Sequence, residues 1–99
     1  MFSKNDMDYL RHYASQFIVY QMNFHDITIH SVATGHDWII ISSYESSECI
    51  ILHRHSQRDV YHRQKGHYHS LKAALDYMTD HDEWFCTNKM KKRVGSRNI

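Results

Sequence analysis

Between residues 26 and 65 the chain breaks into short runs rich in β-branched and aromatic residues, each closed by a polar turn. Asp26–Thr34 sets Ile27, Ile29 and Ala33 against Thr28, His30 and Val32. A turn at Thr34-Gly35-His36-Asp37 leads into Trp38–Tyr44, and Glu45-Ser46-Ser47-Glu48 into Cys49–His55. Ser56–Asp59 then leads into a more polar run, Val60–Lys65. Such runs favour strands, and connections this short suit antiparallel neighbours. The spacing predicts a meander of three or four strands.

Helical signals flank the meander. Ser3 is placed to cap a helix, with Asp6 three residues on as a capping-box acid and Phe2 and Met7 as a hydrophobic staple. Met7, Leu10, Ala14, Phe17, Ile18 and Phe24 recur at helical spacing. This predicts a first helix from about Lys4 to Met22 or Phe24. Ser70 is the expected N-cap of a second helix, with Leu71, Ala74, Leu75 and Met78 as its buried stripe and an end near Asp80. The order α-β-β-β-β-α predicts an α+β fold, an antiparallel sheet with two helices packed on one face.

The chain has 99 residues, enough for one core and no second one. Its formal charge of +1 is unevenly spread. Lys89, Lys91, Lys92, Arg93 and Arg97 stand without an acid in residues 89–99, while residues 1–88 carry a net −4. The expected organisation is a compact domain over 1–88 and a basic, flexible tail over 89–99. The first ten residues lack a basic start followed by an apolar run, and the longest apolar run, Trp38–Ile41, is too short for a membrane span. A cytoplasmic location with Cys49 and Cys86 reduced is the expectation, with no membrane association.

Histidine is the compositional outlier, with ten copies. If Ser56–Asp59 is a hairpin loop, His53 falls opposite His62 and His55 opposite Val60. His53, His55 and His62 would then share a face, directly opposed Cβ atoms lying about 4.5–5.5 Å apart. Three imidazoles so placed suit zinc or another borderline metal. The alternative is an ordinary polar strand face with no cofactor, since a one-residue slip separates the cluster.

Other candidates are bland or electrostatic. Cys49 lies in an apolar run and Cys86 beside Trp84 and Phe85, where a thiol behaves as a small hydrophobe. Asp76, Asp80, Asp82 and Glu83 form either a negative patch or a solvated helix face. The tail lysines and arginines would contact nucleic acid through phosphate charge alone. Neither a nucleophile triad nor a phosphate-cradling loop is recognisable, so no catalytic residue is assigned and the chain is expected not to be an enzyme.

Strand alternation places Ile27, Ile29, Trp38, Ile40, Tyr44 and Ile51 on one sheet face and Val32, Ile39, Ile41, Ile50, Leu52 and Tyr61 on the other. If the helices cover only the second of these, Trp38, Ile40, Tyr44 and Ile51 become a partner surface, with Trp38 opposite His55. The same face would equally serve a homodimer.

The stretch HDWIIISSYESSECIILHRH (36–55), followed by HYHSLKAALDYMTDHDEWF (67–85), resembles small uncharacterised proteins carried by staphylococcal cassette chromosome and related mobile elements. The likeness covers most of the chain but rests on no catalytic motif. It implies a setting in which small accessory proteins bind and modulate a DNA-processing or defence partner. The leading expectation is thus a non-enzymatic interaction protein. The alternatives are a nucleic-acid-binding accessory protein using the tail and a small His-rich metal-binding protein.

Overall fold

The computed structural model describes residues 1–46 and 48–97, with side chains to residue 88. Its elements are α1 (Lys4–Tyr9), a 3-10 turn (Leu10–Tyr13), β1 (Phe17–Met22), β2 (Asp26–Ser31), β3 (Asp37–Ser42), β4 (Cys49–Arg54), β5 (His62–Arg63) and α2 (Leu71–Arg97). The strands pair in chain order as a five-stranded antiparallel sheet. The α+β class and antiparallel meander expected from the sequence are present, with one strand more than expected.

The extra strand comes from the first helix, which ends far earlier than its periodicity implies. Its start is as expected: the Ser3 hydroxyl accepts from the Asp6 N–H, and the Asp6 carboxylate accepts from the Ser3 N–H. After Tyr13 the chain turns, and Phe17–Met22 pairs with β2 instead. Phe-Ile-Val-Tyr at 17–20 is β-branched and aromatic, so strand pairing wins over the coincidental helical spacing. Leu10 and Phe17 still reach the same core, but Ile18 and Phe24, expected in the buried stripe, are exposed.

The second helix differs in the other direction. The Ser70 hydroxyl accepts from the Ala73 N–H, and Leu71, Ala74, Leu75 and Met78 are fully buried, as the stripe predicts. The helix then continues past Asp80 to Arg97. Its inward stripe carries on as His81, Asp82 and Phe85, and the polar pair His81 and Asp82 interrupts the apolar periodicity that marks the stripe. The basic side chains proposed to contact nucleic acid, Lys89, Lys91, Lys92, Arg93 and Arg97, lie outside the described side chains.

Both helices cover the face that carries Ile27, Ile29, Trp38, Ile40 and Ile51. The partner surface expected there is therefore overturned: Trp38, Ile40 and Ile51 have no solvent exposure, and only Tyr44 is open, at 77%. Residues through the middle of both faces are apolar, so alternation alone did not decide which face the helices take. The register of Trp38 also changes. It faces His53, not His55, because the β3–β4 connection spans residues 43–48 and so is longer than the four-residue turn assumed. A two-residue slip keeps each side chain on its own face, so the face assignment survives.

Candidate metal centre

Three separate segments bring imidazoles to one end of the covered face. β4 alternates inward at Cys49, Ile51 and His53, and His55 lies one step beyond the strand. His36 precedes β3 on the same alternation as Trp38 and Ile40. The β2–β3 connection is closed by the Gly35 N–H donating to the Ser31 carbonyl (2.9 Å). Gly35 has φ 75°, a left-handed conformation that glycine adopts without strain. The Ser31 N–H then donates to the His36 carbonyl (2.8 Å), fixing His36 over the sheet. From the other side α2 contributes His81 and Phe85.

The rings pack closely. His36 and His55 are parallel, with centroids 4.4 Å apart and an interplanar angle of 5°. His53 lies against the Trp38 indole at 3.9 Å and against His81 at 4.9 Å. Phe85 closes the layer 4.5 Å from His36. Between His36 and His53 runs a hydrogen bond of 2.9 Å from ring nitrogen to ring nitrogen, Nδ1 of His36 to Nε2 of His53. One of the two nitrogens carries the proton and donates to the other.

This environment disfavours the charged form of His53 and His81. Burial, with the neighbouring rings of His36, His81, His55 and His62, lowers the His53 pKa to about 3. Burial likewise lowers that of His81, against the pull of Asp82. Neutral imidazole is the form that ligates metals. His81 also leaves its buried Nδ1 without a hydrogen-bond partner.

Among the described residues, two ligand sets converge with donor atoms within 4.8 Å of one another: His36, His53 and His55, and His36, His81 and Asp82. The Asp82 carboxylate is already engaged. It accepts from the hydroxyls of Ser31 and Thr34, and Thr34 in turn accepts from the His36 N–H. Burial raises the Asp82 pKa, and those hydroxyl bonds pull it back only in part. Asp82 thus ties α2 to the loop that carries His36, while the His36, His53 and His55 set is made of imidazoles alone.

Of the residues expected to form a metal site, His53 and His55 come together. His62 is paired with His53 in the ladder, as the hairpin register predicts, but it is exposed and stands outside both ligand sets. Sequence reasoning missed His36 and His81. The signals were there: His36 lies two residues before Trp38 on strand alternation, and His81 lies three after Met78 on the helix stripe.

The remaining candidates have structural roles. The Cys49 thiol donates to the Ser70 carbonyl at 3.6 Å, and burial raises its pKa to about 11, which leaves it un-ionised at neutral pH. Cys86 donates to the Ala33 carbonyl at 3.9 Å. The acidic group does not act as one patch: Asp82 points inward, while Asp76 accepts from Tyr13 (3.0 Å) and Lys72 (2.9 Å). No helix among the described residues is long and apolar enough to cross a membrane.

Comparison of the chain with profiles of known families, with curated proteins and with solved structures found no match. The resemblance to mobile-element proteins stays an expectation of the sequence.

Proposed function

We propose that this protein binds one divalent transition-metal ion, zinc being the best chemical match, through His36, His53 and His55. The observation that carries this reading is the convergence of three imidazoles with donor atoms within 4.8 Å, two of them sharing one proton. Nitrogen ligands of this softness suit zinc and its late first-row neighbours, and three histidines are a known zinc set. At Zn–N distances of about 2.0–2.1 Å, two tetrahedral nitrogens stand about 3.3 Å apart. The His36–His53 pair at 2.9 Å therefore needs to open only slightly as the metal replaces the shared proton. Packing against Trp38 and Phe85 orders the rings before the ion arrives, and burial keeps His53 neutral.

Isothermal titration of metal-free protein with Zn²⁺ tests this directly. The expected stoichiometry is about one ion per chain, with a rise in melting temperature because binding to the folded state adds to folding free energy. His55→Ala is the cleanest variant, since His55 is exposed and its loss leaves the core intact. It should weaken zinc binding strongly while the metal-free protein melts almost unchanged. Equal zinc affinity in wild type and His55→Ala would remove the three-imidazole site.

A further inference from the structure

We propose that a metal held by His36, His53 and His55 keeps one coordination position open, and that a small oxyanion occupies it from the cavity under the β4–β5 hairpin. The inference rests on the metal-binding reading above and adds a ligand to it.

A zinc ion takes four ligands, and sites with three protein ligands leave the fourth to water or an exchangeable ligand. The direction of that fourth position follows from the walls. His53 and His55 form one side of a cavity of about 440 Å³, whose other walls include Arg54, Asp59, His62 and Gln64. On the opposite side of the imidazole layer, the rings of Trp38, His81 and Phe85 pack against it and fill that side with side chains.

Charge selects the ligand. Three neutral imidazoles leave the full double charge of the ion uncompensated, unlike a site with thiolate or carboxylate ligands. The surrounding hairpin adds to it. Between residues 53 and 69 the chain carries Arg54, Arg58, Arg63 and Lys65 against the single acid Asp59. Arg54 is neutralised by Asp37 on the outer face, at 2.9 Å, but the other cations stay in excess. A local excess of this sign concentrates anions.

Two wall residues are set to donate to such an anion. Gln64 lines the cavity, and the Tyr77 hydroxyl donates to its Oε1 at 2.9 Å, which leaves the Gln64 NH₂ group as its donor. His62, held opposite His53 by the ladder, offers a ring nitrogen at the mouth. Carboxylate and phosphate share the chemistry required: one oxygen for the metal and a second to accept from these donors.

Cobalt-loaded protein reports both steps, because the visible bands of Co²⁺ change with its ligand set. Acetate and inorganic phosphate are the probes, titrated separately. The expected result is a saturable band shift with either anion, its midpoint raised about tenfold in His62→Ala and in Gln64→Ala, the effect of losing one hydrogen bond to a charged group. Cobalt affinity itself should be the same in both variants. A response to only one of the two anions would narrow the class to carboxylate or phosphate. Bound cobalt whose spectrum ignores both anions would overturn the proposal while leaving metal binding intact. So would a His62→Ala variant that loses cobalt affinity, since His62 would then be the fourth ligand and close the position. Failure of cobalt to bind at all would remove the metal reading and this inference together, and the missing spectrum distinguishes that case.

Discussion

On the outer face of the sheet His30 sits beside a carboxylate; on the inner face His53 sits among other imidazoles. The outer row runs His30–Asp37–Arg54 across three strands, with ring nitrogen to Oδ1 at 2.7 Å and Arg54 Nε to Oδ2 at 2.9 Å. Asp37 is 1% exposed. Burial pushes its pKa up, but the hydrogen bonds from His30 and Arg54 outweigh that and hold it below the usual carboxylate value. Arg54 also lies over the Tyr61 ring at 4.4 Å. Every charge in this row has its counter-charge, so the row is complete as a structural device. The inner cluster gathers His36, His53, His55 and His81 with only Asp82 nearby, itself turned to hydroxyls. His36 and His53 pair with each other, His81 leaves its Nδ1 without a partner, and on the proposed reading a cation would complete the set. The two histidine sites thus differ in what they lack, and on the metal-binding proposal that difference separates a stabilising network from a ligand site.

The largest expected effect belongs to the inner layer. Trp38→Ala should cost about 3–5 kcal/mol, the range for truncating a buried aromatic, independent of protein concentration. Denaturant unfolding at two concentrations checks this. A loss below about 1 kcal/mol would mean Trp38 is not core and would revive the exposed-face expectation.

Next comes the outer row. Asp37→Ala should cost about 1–3 kcal/mol, less than a fully buried pair because His30 and Arg54 are each about one-quarter exposed. Its pH signature sharpens the comparison. A depressed carboxyl contributes stability that is present above the ordinary carboxylate pKa and lost as pH falls through the folded value. Asp82, raised by burial, has the opposite sign: its contribution is full below the ordinary value and lost as pH rises through the folded one. Asp37→Asn should therefore flatten the acid limb of the stability curve, and Asp82→Asn should remove a loss on the neutral side. Unfolding free energies measured between pH 3 and 7 separate the two. The same slope for both variants would contradict the assignment of one paired and one under-compensated carboxyl.

The smallest effect is the most specific. His55→Ala should shift the stability of metal-free protein by no more than about 0.5 kcal/mol, as for other exposed positions. In the presence of zinc the same substitution should abolish the metal-induced rise in melting temperature. His12→Ala, at an exposed ring bonded to the Tyr9 carbonyl, should leave both unchanged.

What was legible in the sequence was local. The Ser3–Asp6 capping box, the Ser70 cap, the Leu71–Met78 stripe and the His53–His62 pairing all follow from spacing within one element or one short hairpin. Phe17–Met22 was misread because Leu10, Phe17 and Phe24 satisfy helical spacing, while the strand that competes for them is formed only by pairing with β2. The candidate metal centre was half legible for a related reason. His53 lies on β4 and His55 one step beyond it, but His36 comes from a loop closed by Gly35, and His81 from the part of α2 past its expected end. Their meeting depends on the helix crossing that end of the sheet, which no local pattern encodes.

The central claim is that His36, His53 and His55, and not the histidines outside the cluster, take up a metal. Long-range ¹H–¹⁵N correlation spectra of the histidine rings during a zinc titration test it residue by residue. The account predicts that the ring nitrogens of His36, His53 and His55 move to metal-bound positions and stop at about one equivalent, while His12 and His67 stay where they were. Movement confined to histidines other than these three, or no movement in any ring, would contradict it.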